Sequence, residues 1–414
     1  DLSAVVTQPY DKISASMQAA YYEKSPFNAV RLILAREPGE GRYASAAKAL
    51  DAWVRDGVLK RDDAPAFYAY YQIYRDEAGT QRTRKGFVGL LELEEFGAGV
   101  RPHERTLAGP KADRLDLMRA TGANFGQIFM LYSDPKLAVN HVLDGAVAGE
   151  PAFEARDEAG EIHRLWPVRD AAAVEKIASL MADREAFIAD GHHRYETALN
   201  YRREMREKGV VGEGVETVDR RMVTLVNMDD EGLTIFPTHR IVHSADPARI
   251  EALPDALLED FKVETFPFDA RPEPEARADF LEALHDDARG PHRFGLAIRG
   301  RKAYRLLVLK DETVADEWFG GEHSPEWRRL DVSILHGPIL EKRLSIGAEA
   351  LEKESNVTYV RGADEALEEV CRGENQAAFL LNGTKVGEVS AVARVGERMP
   401  QKSTDFYPKL LTGM

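Results

Sequence analysis

The sequence predicts an α+β fold. Helix-like and strand-like stretches both recur along the chain, and they follow no regular strand–helix–strand rhythm. With 44% apolar and 30% charged residues, the composition is that of a chain that buries a core. A length of 414 residues predicts more than one domain, and the pattern changes suggest segments 1–95, 96–230 and 231–414.

The elements follow in order. "SAAKALDAWV" spaces Ala46, Ala49, Leu50, Trp53 and Val54 on one face of a helix. "AFYAYYQIYRD" and "KGFVGLLELEEF", separated by Glu77-Ala78-Gly79-Thr80, predict a β-hairpin. "RPHERT" predicts a loop, followed by a helix that opens near Pro110 and stops at Gly122. "FGQIFMLY" predicts a buried strand, and "FEARDEAGEIHRLWPV" a hairpin turning at Glu158-Ala159-Gly160. A helix over Ala171 to Met181 leads into the strand "EAFIAD". Tyr195, Ala198, Leu199 and Met205 then recur at helical spacing, predicting a helix from about Arg194. After Arg221 strands dominate ("MVTLVNMDD", "LTIFPTHRIVH", "FGLAIRG", "AYRLLVLKD"). They are broken by helical "DPARIEALPDALLEDF" and "EPEARADFLEALHDD".

Charge and cysteine usage narrow the function classes. Net charge is −15, from 55 basic and 70 acidic residues, opposite to the footprint of a general duplex binder, so a nucleic-acid partner is not expected. No apolar run reaches the length of a membrane span, and "DLSAVVTQPYDKIS" lacks the basic start and apolar centre of a signal peptide. The single cysteine, Cys371, fits a reducing cytoplasm. Together with Ala363, Ala366, Leu367 and Val370 it falls on one helical face, where it is expected to be buried. No internal repeat is present. Oligomeric state leaves no trace in the sequence.

The stretch "FIADGHHRYETAL" carries the chemistry. An apolar strand ends, a helix begins, and Asp190, Gly191, His192, His193 and Arg194 occupy the junction. Unpaired N–H groups and the positive end of the helix dipole favour an anion there. Gly191 permits close backbone approach, and the imidazoles with Arg194 add donors suited to phosphate oxygens. The junction reads as a phosphate cradle. Three rival readings use the same residues: an Asp190 helix cap with solvated histidines, a zinc pair without further ligand spacing, and a hydrolytic histidine without a nucleophile partner.

"DGHHR" after an apolar strand resembles the phosphate loop of the ParB/sulfiredoxin-like fold, and in particular of its free-serine kinases. "RPHERT" supplies the Pro-His-Glu that those kinases carry upstream, here Pro102, His103 and Glu104. The longer spacing between the two motifs implies an insertion, with "FEARDEAGEIHRLWPV" as its place. Along nearly its whole length the chain is similar to the family called domain of unknown function 1015, through "PYDKIS", "SPFNAVRL", "RPHERT", "ADGHHRYETAL", "FPTHRIV" and "MPQKSTDFYPKL".

These resemblances imply a ParB/sulfiredoxin-like phosphate-binding core with added N- and C-terminal α/β segments. They imply transfer of a phosphoryl group from ATP or ADP to the hydroxyl of free L-serine. Glu104 would be the catalytic base, Gly191 to Arg194 would hold the phosphates, and Asp190 would bind a phosphate-bridging Mg²⁺ or fix Arg194. His103, Thr106, His239, Arg240, Lys402, Ser403 and Thr404 are further candidates for substrate contact; Thr238, His239 and Arg240 either line the same cleft or only stabilise a strand end. Nothing in the sequence separates ATP from ADP. Sulfiredoxin chemistry would need a cysteine in the loop. A ParB-like DNA clamp would need a basic reading helix after it, where "YRREMREKGVVGEGVETVDRR" leads into strands. A nucleotide sensor without turnover is the remaining alternative.

Overall fold

The computed structural model describes residues 2–77, 79–104, 108–212 and 217–414; Ala78 and Thr106 lie outside them. The fold is α+β, and the chain forms two compact units. The first comprises Asp1–Thr234 and Phe406–Met414, the second Ile235–Asp405. The division falls between Thr234 and Ile235, and residue 95 lies inside the first unit, whose sheet draws strands from both sides of it.

In the first unit an eight-stranded mixed sheet is built from β1 (Phe67–Arg75), β2 (Gln81–Glu92), β3 (Val100–Pro102), β4 (Ile128–Tyr132), β5 (Phe153–Arg156), β6 (Ile162–Val168), β7 (Ala186–Asp190) and β8 (Arg220–Asn227), in the order β3-β7-β4-β8-β2-β1-β6-β5. The two predicted hairpins form: β1 pairs antiparallel with β2, and β5 with β6 at the sheet's outer edge. The runs "IFMLY" and "AFIA" lack alternation because both of their faces are buried. Ile128, Met130, Ile188 and Val223 pack with Tyr195, Ala198 and Leu199 of the helix that follows β7, so the helical spacing read from the sequence marks its core face. The helix Ala108–Thr121 ends before Gly122, whose φ of +61° suits the residue after a helix C-terminus.

Short strands β9 (Thr234–Phe236) and β16 (Asp405–Tyr407) stand where the chain leaves and re-enters the first unit. On its return the chain is tied to the sheet. The buried Arg84 guanidinium donates to Gln72 Oε1 (3.0 Å from Nε) and to the Pro408 carbonyl, and stacks 4.4 Å from the Phe129 ring. Gln72 Nε2 donates to Lys409 O at 2.9 Å, and Tyr407 Oη to Glu161 Oε1 at 2.5 Å.

The second unit is a six-stranded sheet of β10 (His239–Val242), β11 (Phe261–Pro267), β12 (Arg293–Ile298), β13 (Ala303–Leu309), β14 (Val357–Val360) and β15 (Ala377–Leu381), in the order β11-β13-β12-β15-β10-β14 and antiparallel throughout. One face packs on a cluster around Leu257, Phe294 and Ile339, the other on Phe280, Tyr304 and Leu367. The two predicted helices are Pro247–Leu257 and Glu273–His285. Cys371 departs from expectation. Ala366, Leu367 and Val370 of its helix are buried, but Cys371 is exposed, with Sγ 3.5 Å from Tyr304 Oη. It is the last residue of the helix and stands about 100° round the axis from Val370, at the rim of the buried stripe.

Among the described residues no helix is long and apolar enough to cross a membrane.

Candidate phosphate-binding site

β7 ends at Asp190 between β3, which runs parallel to it, and β4, which runs antiparallel. The next residue, Gly191, adopts φ +95° and ψ 27°, a left-handed conformation that turns the chain in one step at little steric cost. The helix therefore starts at His192, two residues before the predicted Arg194, and runs to Glu207. Both histidines belong to its first turn. Its first bond is Tyr195 N to Gly191 O at 3.0 Å, so the backbone N–H groups of residues 192–194 precede the ladder at the positive end of the helix. Asp190 does not cap the helix; Gly191 occupies the cap position.

Asp190 pairs instead with Arg194. Arg194 Nη2 donates to Asp190 Oδ2 at 2.5 Å, and Nη1 donates to the Gln127 carbonyl at the start of β4. The Arg194 side chain is 9% exposed and that of Asp190 25%. Burial pushes the Asp190 carboxyl up, but the charges of Arg194, Lys409, His192 and Lys12 outweigh it and hold the group at about 2, so it is ionised at neutral pH. Backbone space around the guanidinium is provided by glycine on both sides. A Cβ would lie 3.0 Å from Arg194 Nε at Gly191, and 3.1 Å from Nη1 at Gly126.

The upstream motif meets this junction through β3. Pro102 pairs with Ile188 in parallel register, so the segments carrying Glu104 and Asp190 leave the sheet from the same end of adjacent strands. His103 fastens the two segments. Its Nδ1 donates to Ile188 O at 2.5 Å, its backbone N donates to His192 Nε2 at 3.3 Å, and the two imidazole centroids are 4.7 Å apart. Phe406 closes against the His103 ring at 5.9 Å. Glu104 is half-buried at the end of this segment. The structure thus brings together residues some 86 positions apart, and Thr106 lies outside the described residues.

Burial lowers the His103 imidazole to about 4 and keeps it neutral, with its proton on Nδ1. The unfolded chain takes up this proton near pH 6.5 and the folded chain only near 4. His103 therefore contributes stability that is complete above pH 6.5 and is lost as pH falls towards 4, by up to about 3 kcal/mol. Urea unfolding across this range should show a shallower acid decline for His103→Asn than for the natural protein; identical declines would contradict the assignment. The His193 imidazole is also lowered, by burial, although Glu196 and Asp11 oppose the shift.

Behind Arg194 lies a cavity of about 40 Å³ lined by Arg194, Arg221, Thr197, Tyr10, Arg114 and apolar side chains including Phe125. Arg221 is 3% exposed and Thr197 1%. Sequence reasoning passed over both. Arg221 stands in "VDRRMV" like one charge of a solvated run, and Thr197 like an ordinary helix residue. No periodicity distinguishes an inward arginine on β8 from an outward one.

The other candidates belong to the second unit. His239 is buried and neutral, lowered by burial to about 3, and its Nδ1 accepts from Leu381 N at 3.3 Å. Arg240, also buried, donates to the Thr238 carbonyl, to Lys402 O at 3.0 Å and to His336 Nε2 at 3.3 Å. Lys402 pairs with Glu354 at 3.6 Å, and Ser403 Oγ donates to Pro400 O at 2.5 Å. Thr404 is half-buried. Arg240 and Ser403 thus hold the 400–403 turn in place within that unit.

No cluster of three or more His, Cys, Asp or Glu side chains among the described residues is arranged to hold a metal ion. A zinc pair at His192 and His193 finds no third ligand there.

Residues 1–333 match a family described as a protein of unknown function, DUF1015. No curated protein matches the chain. Among solved structures the chain is similar to a conserved hypothetical protein from Pyrococcus furiosus, with 13% identity over 77% of this chain and 90% of that one and a TM-score of 0.33. It is also similar to a free serine kinase variant in complex with ADP (12% identity, 77% and 87% coverage, TM-score 0.37). A third is SbnI from Staphylococcus aureus, truncated at its C-terminus (11%, 78% and 85%, 0.35).

Proposed function

The chain belongs to the DUF1015 family, and on that premise we propose that it is a nucleotide-dependent phosphotransferase acting on the hydroxyl of free L-serine, built on a ParB/sulfiredoxin-like core. The observation that carries this reading is the fastening of Pro102-His103-Glu104 to Asp190–Arg194 by the two His103 hydrogen bonds. A carboxylate and a phosphate seat leave adjacent strands at the same end, which is the pairing that phosphoryl transfer requires.

In this reading the first-turn N–H groups, His193 and Arg194 hold the terminal phosphate of ATP or ADP. The acceptor oxygen attacks phosphorus as the bridging P–O bond breaks, and the nucleotide leaves with one phosphate fewer. Glu104 takes the hydroxyl proton. Asp190 Oδ2 fixes Arg194, and Asp190 is the residue that would hold a magnesium ion carried by the phosphates, directly or through water. Magnesium would supply charge neutralisation on the phosphate oxygens. His239, Arg240, Lys402, Ser403 and Thr404 enter only as residues of the second unit that the family resemblance nominates.

The test is direct. Purified protein with Mg²⁺, ATP or ADP, and L-serine is expected to yield O-phosphoserine by mass spectrometry. Absence of a phosphorylated product with any small hydroxylated acceptor, alongside tight nucleotide binding, would instead make the protein a nucleotide sensor.

A further inference from the structure

Arg221 is an unusual group. Its Nη2 donates to Gly126 O at 2.6 Å, but its Nε and Nη1, both buried, have no hydrogen-bond partner. No carboxylate among the described residues pairs with it, and its charged neighbour is another cation, Arg194. Thr197 Oγ1 is also buried and has no hydrogen-bond partner. Both side chains line the same cavity. A guanidinium out of water with two donors unmet is costly, and so is a buried hydroxyl without a partner. The other cations at the cavity are satisfied within the protein: Arg194 by Asp190, and Arg114 by Asp113 and by Ile33 O at 2.9 Å. Arg221 alone among these three carries charge without a protein counter-ion.

The cavity is large enough for a group bigger than one water. Its apolar walls, Ile33, Leu117, Met118 and Phe125, strengthen an ion pair formed against them. A buried guanidinium with unmet N–H donors pairs with a carboxylate by charge and by donating to one of its oxygens, and a threonine hydroxyl can donate to the other.

We propose that this cavity is a subsite for a carboxylate, paired with the Arg221 guanidinium and accepting from Thr197 Oγ1, next to the proposed phosphate seat. It rests on the reading above, and it names the side chains that hold the acceptor's carboxylate. Arg194 touches both sites, with Asp190 on one side and the cavity on the other, so the acceptor's anionic end is set beside the phosphate-holding junction.

The experiment measures binding and so does not depend on turnover. Thermal melts and calorimetry of the full chain at constant ionic strength would compare acetate, L-serine, serinol (which lacks the carboxylate) and inorganic phosphate against chloride. The natural protein is expected to bind L-serine at least about tenfold more tightly than serinol, and to be stabilised by acetate. Arg221→Met should erase that preference while melting no lower than the natural protein without ligand, because it removes an unpaired buried charge. Thr197→Val, a change of one atom type, should weaken L-serine binding severalfold and serves if Arg221→Met fails to fold. Equal binding of L-serine and serinol, binding of neither, or retention of the preference in both variants would overturn the proposal, as would inorganic phosphate stabilising the protein more than acetate through Arg221. Carboxylate binding without phosphoserine formation would leave this subsite standing and remove the kinase reading; formation of phosphoserine without Arg221-dependent binding would do the reverse.

Discussion

Glu104→Gln is expected to slow phosphoryl transfer by about 10²- to 10⁴-fold while leaving nucleotide affinity unchanged. The amide is nearly the same shape as the carboxylate but cannot accept the acceptor's proton, and positioned general bases contribute rate factors of that order. The effect should fall on kcat, because Glu104 is asked to act on the hydroxyl at the moment of attack and not to hold the nucleotide. Single-turnover kinetics with a nucleotide-binding titration separate the two. A variant that transfers at the natural rate would remove Glu104 from the chemistry.

The second large effect belongs to Arg194. Arg194→Met should abolish transfer and also lower stability by about 2 kcal/mol. That is below the range for a fully buried pair, since water reaches Asp190. Two separate losses combine: the phosphate seat loses its guanidinium, and Asp190 keeps its charge with its main partner gone. Arg194→Lys tests the geometry, because an ammonium restores charge but cannot reach Asp190 Oδ2 and the Gln127 carbonyl together in the fork arrangement. We expect Lys to recover part of the stability and little of the rate. Urea unfolding and the phosphoserine assay read the two losses independently, and a rate recovered in full by lysine would show that only charge matters.

Local patterns were legible where local physics dominates. "FIAD" followed by glycine announced a strand ending in a sharp turn, and Tyr195, Ala198 and Leu199 announced the buried face of the helix, because each depends on neighbours a few residues away. The helix start was misplaced by two residues because Gly191 makes the whole turn alone, which a sequence does not distinguish from a longer junction. Cys371 was misjudged because a helical stripe has edges, and the last residue of a short helix falls on one. What lay beyond reach were remote pairings. The register that sets Pro102 level with Ile188 joins segments with no periodicity in common, so only the resemblance to known motifs linked them. Nothing in the sequence marks Arg84 or Arg221 as buried, and it is the sheet that turns them inward.

The return of residues 406–414 to the first unit has a temporal consequence. A ribosome makes the chain in order, so Phe406 and Lys409, which press on His103 and add positive charge near Asp190, emerge long after the residues they act on. By then the whole of 235–405 has been synthesised, as an excursion between two parts of one sheet-bearing body. Until then the proposed phosphate seat lacks the Phe406 ring against His103 and the Lys409 charge near Asp190.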